Sequence, residues 1–133
     1  MLGKKKQPPI KSLIAQGTRI EGNVLFNDGL RIDGDVVGDI RASEDNPSIL
    51  VISELASVTG QIHADHVIIN GYVKDPVLAF NLLELQPKAR IEGDVSYRAL
   101  EMHQGATISG QLKPMAGTEA EDKPTLKLAA NNG

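Results

Sequence analysis

The chain lacks several of the residues that most often anchor a core or a reactive site. Its 133 residues include no cysteine, no tryptophan and only four aromatic residues. Disulfides are therefore excluded, which agrees with a reducing compartment. The core has to be built from aliphatic side chains, and the abundant isoleucine and valine favour strands.

Long apolar runs and strong charge of one sign are also missing. No stretch approaches the ~20 apolar residues of a membrane-spanning helix, and no apolar signal-peptide segment follows the first lysines. The net charge of −3 is too mild to indicate a nucleic-acid groove. We therefore expect a cytoplasmic protein with no nucleic-acid partner.

The chain repeats one short pattern instead. The motif "[ILV]-x-G-x-[ILV]" recurs, as in "IEGNV" and "IEGDV", and Asp75 takes the glycine position in one further copy, "VKDPV". The central residues are Gly22, Gly38, Gly60, Asp75, Gly93 and Gly110. Their steps of 16, 22, 15, 18 and 17 residues indicate a repeat of about 17.

A second series of apolar pairs, such as Leu30 with Ile32, has the same period and the same long step. That step coincides with the polar stretch "ASEDNPS" (42–48), which predicts an inserted loop. Within each unit apolar and polar residues alternate, which is the period of a strand. Short strands at this spacing predict an all-β solenoid, a parallel β-helix of about six rungs with the glycines at its corners.

The sequence shows no arrangement of residues typical of a metal-binding or catalytic site. His63 and His66 are three apart, which places them on opposite faces of a strand, so we expect no metal site. Nucleophile motifs and phosphate-binding loops are missing. The acids Asp33, Asp35, Asp39, Glu92 and Asp94 fall on the outward side of the strands, where we expect a solvated face. We predict no catalytic residues and no cofactor.

The two ends of a solenoid expose apolar ladders and unpaired strand edges unless they are capped. Exposed ends favour stacking of one copy on the next, although the terminal segments could instead fold over them. The residues predicted to form such a polymerisation interface are Ile14, Ile20, Val24, Met102, Ile108 and Leu112.

The N-terminal peptide "MLGKKK" combines two apolar residues with three lysines. Met1 and Leu2 could enter a bilayer while Lys4, Lys5 and Lys6 contact anionic lipid, and many copies along a polymer would bind by avidity. The alternative is a solvated arm. We expect a flexible arm over 1–13, the β-helix over 14–113 and a disordered tail over 114–133.

The repeats resemble those of bactofilins, polymer-forming bacterial cytoskeletal proteins. The similarity covers roughly residues 14–113 and is most specific in "GTRIEGNVLFNDGLRIDGDVVGDI" (17–40). It implies a right-handed β-helix that polymerises through its end rungs without nucleotide. It also implies attachment of the N-terminal peptide to lipid at the inner face of the cell membrane, and scaffolding of cell-shape, cell-wall or polarity proteins.

Two departures from the repeat and two rival functions stay open. The insertion at 42–48 could change a lateral surface, and Asp75–Pro76 could make one corner irregular. A hexapeptide-repeat acyltransferase would have a left-handed β-helix with a strict six-residue period, which these steps do not show. A monomeric adaptor would bind partners by strand addition at its open ends.

Overall fold

The computed structural model describes residues 8–115, and all of the regular secondary structure in that part of the chain is strand. Successive short strands pair in parallel throughout this range. They wind six times around a common interior, so that equivalent strands of successive turns lie side by side. The predicted all-β parallel solenoid of about six rungs is confirmed.

Each rung contributes one strand to each of three faces, named A, B and C here. Face A contains β1 (Ile10–Ile14), β4 (Gly29–Ile32), β7 (Ile49–Ile52) and the second halves of β9 (Ile62–Ile69), β11 (Val77–Leu85) and β13 (Val95–Met102). Face B contains β2 (Arg19–Glu21), β5 (Asp35–Val37), β8 (Ser57–Thr59), β10 (Tyr72–Lys74), β12 (Arg90–Glu92) and β14 (Thr107–Ser109). Face C contains β3 (Val24–Phe26), β6 (Ile40–Ala42), the first halves of β9, β11 and β13, and β15 (Leu112–Pro114).

The strand register reproduces the steps read from the sequence. On face B, Ile20 pairs with Val36, Val36 with Val58, and Val58 with Val73. The long second step arises at residues 43–48, which connect β6 to β7 as the predicted loop. Ser48 and Asp65 fasten this loop to the next rung. The backbone N–H and the hydroxyl of Ser48 both donate to one carboxylate oxygen of Asp65, at 3.0 and 3.4 Å. In return, the backbone N–H of Asp65 donates to the Ser48 hydroxyl at 3.0 Å.

The interior is a set of aliphatic columns that run from rung to rung. On face A one column passes through Ile32, Ile52 and Ile69, which are all fully buried. Val58 and Val73 continue a similar column on face B. Each side chain lies directly over the equivalent side chain of the preceding rung. Equivalent positions in successive rungs therefore need similar aliphatic residues, which explains the repetition in the sequence.

The glycine position of the motif is a corner between faces B and C. Gly22, Gly38, Gly60 and Gly93 have φ between +140° and +155° there, a range that side chains other than hydrogen disfavour. Asp75 takes the same position with φ +121°. The corner assignment from sequence is therefore confirmed, including its non-glycine member.

The solenoid begins earlier than the sequence predicted. Strand β1 starts at Ile10 rather than at residue 14, because Leu13 and Ile14 pair with Arg31 and Ile32 in the next rung. Residues 10–13 are exposed, so the hydrophobic pattern gave no sign of this strand. At the other end β15 reaches Pro114, one residue past the expected boundary.

Candidate functional site

The interior columns end in solvent at the C-terminal rung. Met102 follows the fully buried Leu85 in its column, and Leu112 follows the fully buried Val95. Met102 is 44% exposed and Leu112 is 47% exposed, while Ile108 is half-buried. Three apolar side chains from three faces thus share one open end of the solenoid.

The N-terminal rung is less apolar in its interior. Ile20 and Val24 are half-buried, as expected for an end rung, but Ile14 is only 7% exposed and offers little surface. Ser12 occupies the position that Leu30 takes in the next rung. Sequence reasoning therefore placed the six interface residues on the two end rungs, but Ile14 belongs mainly to the core.

Both ends also present strand edges. Within residues 8–115, β14 pairs only with β12 and β15 only with β13, while β2 and β3 each pair on one side. A row of backbone N–H and C=O groups without a strand partner accompanies the apolar column ends. Each end rung of the described chain therefore carries exposed apolar side chains together with backbone groups that lack a strand partner.

The residues after the corner glycines link successive rungs from the outward, solvated side of the solenoid. The side chain of Asn23 accepts a hydrogen bond from the backbone N–H of Asp39, and Asp39 accepts one from the N–H of Gln61, both at 2.9 Å. Asp94 accepts one from the N–H of Gln111 at 2.9 Å. Asp39 and Asp94 lie on the outward side as predicted, and in addition the residue after the corner glycine reaches the next rung. We call this series the corner ladder.

At the C-terminal end the corner ladder fixes the last strand. Asp94 binds the N–H of Gln111 and lies 3.1 Å from the Lys113 ammonium. These two interactions, the backbone hydrogen bond first, lower the pKa of Asp94 below its usual value of 3.8. The carboxylate is therefore ionised at neutral pH and holds β15 where Leu112 is displayed.

Two of the other predicted outward acids, Asp33 and Glu92, engage neighbouring side chains. Arg31 donates to Asp33 at 3.0 Å, and the Tyr72 hydroxyl donates to Glu92 at 2.9 Å. That hydrogen bond is the main cause of a raised pKa of Tyr72. The first pair lies at the end of a face A strand, and the second links two neighbouring strands of face B.

A cavity of about 230 Å³ lies between the inserted loop and face C. Its walls include Arg41, Glu44, His63 and Phe80. Partial burial and the nearby Arg41 lower the pKa of His63. No group of three metal-ligating side chains occurs within residues 8–115.

The predicted membrane-binding residues Met1, Leu2, Lys4, Lys5 and Lys6 lie outside the described residues. In the part of the chain that the structure describes, no helix is long and apolar enough to cross a membrane.

Comparison with known proteins agrees with this architecture. A search of curated proteins and a search of solved structures found no match. A family model described as bactofilin, polymer-forming cytoskeletal, matches residues 12–113, which are nearly all of the six rungs. The chain therefore belongs to the bactofilin family of polymer-forming cytoskeletal proteins.

Proposed function

We propose that this chain assembles end to end into filaments, without nucleotide and without enzymatic activity. The observation that carries the proposal is the exposure of Met102 and Leu112 at the end of columns whose members in rungs two to five are fully buried. Fully burying a leucine or methionine side chain contributes about 1.5–3 kcal/mol, and stacking a second copy would complete that burial. Backbone pairing along the open strand edges would then align the two copies.

We further propose that the filaments lie on the inner face of the cell membrane and scaffold cell-shape, cell-wall or polarity proteins. The basic peptide that contains Lys4, Lys5 and Lys6 would supply the lipid contact, with the apolar Met1 and Leu2 entering the bilayer. Its support is chemical: clustered lysines attract anionic headgroups by about 1 kcal/mol each. A filament would present many copies at once, so weak single contacts would add.

Electron microscopy of purified variants tests end-to-end assembly. Leu112→Arg and Ile108→Arg each place a charge in the stacked interface, where its desolvation is unfavourable, so both should abolish filaments. Thr59→Arg adds the same charge to the outer surface of a central rung and should leave filaments intact. Circular dichroism must show an unchanged β-rich spectrum in all three variants. Filaments from both end-rung variants would rule out the C-terminal rung as the contact.

Val24→Arg tests whether the N-terminal rung also takes part in the end-to-end contact. Val24 ends a column that continues through Ile40 and Ile62. Because a filament needs a contact at both ends of every copy, Val24→Arg should also abolish filaments and leave at most pairs joined through the C-terminal rung. Normal filaments in this variant would show that Val24 lies outside the N-terminal contact.

A further inference from the structure

The outer surface of face A has an ordered distribution of side chains. One outward residue from each rung forms a column whose members are in register across the parallel strands. From the first rung to the sixth, its members are Leu13, Arg31, Val51, Ile68, Glu84 and Glu101. The column is apolar at its centre, with a cation on one side and carboxylates on the other.

Face B differs in a way that singles out face A. On face B, cations and acids of the same rung lie next to each other, since Arg19 contacts Glu21 at 2.9 Å and Arg90 contacts Glu92 at 3.7 Å, so charge is not separated between its two ends. It has no apolar pair at its centre comparable to Val51 and Ile68 on face A, both half-buried. An apolar centre with charges of opposite sign on its two sides is typical of an interaction surface.

We propose that face A binds face A of a second copy, with the two solenoid axes antiparallel. The two-fold axis runs parallel to the strands, midway between the third and fourth rungs. That rotation places rung two of one copy against rung five of the other, so Arg31 faces Glu84 twice. It also places Val51 against Ile68 twice. The contact is isologous, because the same patch serves both copies.

Under the same rotation, the corners between faces A and B of the two copies have complementary shapes. In the third rung a four-residue corner projects Leu55, which is 53% exposed. In the fourth rung the corner is only Asn70–Gly71, and a groove of about 420 Å³ lies beside it, lined by Leu55, Ile68 and Gln86 among others. The two-fold axis brings the third-rung corner of each copy to the fourth-rung corner of the other. The rotation therefore places Leu55 of each copy beside the groove of the other.

The charged groups are already positioned for this contact. Arg31 donates to Asp33 through Nε at 3.0 Å, which leaves its terminal guanidinium nitrogens available to a second carboxylate. One carboxylate oxygen of Glu84 lies 3.7 Å from His66 of the same chain, and the other accepts a hydrogen bond from the side-chain amide of Gln86. Both side chains retain exposure, 49% for Arg31 and 20% for Glu84, so a second copy can reach each of them. The remaining pair, Leu13 with Glu101, lies at the rim.

Charge reversal tests this arrangement with a prediction specific to two-fold symmetry. Arg31→Glu alone sets acid against acid, and Glu84→Arg alone sets cation against cation, so each variant should weaken lateral association by roughly tenfold or more across two equivalent pairs. An equal mixture of the two variants should restore association, because both Arg31–Glu84 contacts are rebuilt in the mixed pair. Restoration would also show that each variant folds.

The double variant gives an independent check. Arg31 and Glu84 of one chain are three rungs apart, about 14 Å at the usual inter-strand spacing, so they do not pair directly within a chain. Recovery in the Arg31→Glu, Glu84→Arg double variant therefore reports a contact between chains. Association is read as paired rather than single filaments in electron micrographs, and by sedimentation in the Ile108→Arg background, in which end-to-end assembly should be blocked.

Cysteine cross-linking detects the face A contact whether or not end-to-end assembly occurs. The chain has no cysteine of its own, so any disulfide must form between the introduced residues. Val51→Cys mixed with Ile68→Cys should give disulfide-linked pairs in higher yield than either variant alone. Ser57→Cys mixed with Thr59→Cys, on face B, should give little. Equal yields in all mixtures, with no recovery in the charge-reversal mixture, would overturn the proposal and assign face A to a different partner. Failure of Ile108→Arg to block filaments would count only against the end-rung proposal.

Discussion

A β-carbon placed on Gly60 would lie 2.0 Å from the carbonyl oxygen of Gly38 in the preceding rung. A β-carbon does not tolerate that distance, so position 60 is limited to glycine by the close approach of successive turns as well as by φ. Gly38 meets Gly22 in the same way at 2.1 Å. Gly22 itself, on the first rung, has no atom within 4 Å of its would-be β-carbon among the described residues.

Gly60→Ala should therefore destabilise the chain far more than Gly22→Ala. Both residues have φ in the left-handed range, so each substitution incurs strain of about 1–2 kcal/mol. Only Gly60→Ala adds a steric conflict with backbone, typically about 1–3 kcal/mol. Urea unfolding in the Ile108→Arg background measures the difference without a contribution from assembly. Equal losses would mean that conformation alone selects these glycines.

Asp75→Gly should stabilise the chain. Asp75 has φ +121° in a column where its counterparts are glycine, and no hydrogen bond of its side chain is present among the described contacts. Removing its β-carbon should relieve about 1 kcal/mol of strain. Asp75→Ala keeps the β-carbon and should give no gain. A lower unfolding midpoint for Asp75→Gly than for the unaltered chain would show that the aspartate is not strained.

These corners illustrate what the sequence could and could not reveal. The spacing of Gly22, Gly38 and Gly60 predicted the rungs because each rung repeats the same bend. It did not reveal that Asn23 and Asp39 accept hydrogen bonds from the following rung. Alternation assigns a residue to the outer side, but it does not state which amide a short carboxylate or carboxamide will reach. The right-handedness of the coil stays a prediction from the family resemblance.

The end rungs could be predicted in part for a similar reason. Met102 and Leu112 were found because each is the last apolar member of its series. The start of β1 was missed because Ile10 and Leu13 are outward or exposed, and only pairing with the next rung makes them a strand. The hydrogen bonds between Ser48 and Asp65 join residues of different turns, so no local sequence pattern predicts them.

Asp94 makes the stability of the last strand dependent on pH. Its pKa is lowered in the folded chain by the Gln111 amide and Lys113, so the ionised form binds more favourably in the folded than in the unfolded state. That contribution is complete above the ordinary pKa of 3.8 and is lost as pH falls through the lowered folded pKa. Asp94→Asn should therefore weaken amide-exchange protection at Gln111 near neutral pH. The two chains should converge well below pH 3.8.

Exchange at Gln61 is the internal control for that experiment. Its amide donates to Asp39, which Asp94→Asn does not alter, so its protection should be the same in both chains. A constant difference at Gln111 over the whole pH range would show that the charge of Asp94 has no part in holding β15.

Membrane binding should depend on both the N-terminal peptide and on polymerisation. Deleting residues 2–6 removes three lysines, worth roughly 3 kcal/mol per chain at an anionic surface, and should abolish pelleting with vesicles of phosphatidylserine and phosphatidylcholine. Deleting residues 129–133, which carry no charge, removes the same number of residues and should have no effect. Ile108→Arg keeps the peptide but presents it singly, so its pelleting should fall through loss of avidity. Undiminished pelleting after deletion of residues 2–6, or equal pelleting with phosphatidylcholine alone, would show that these lysines do not mediate the contact.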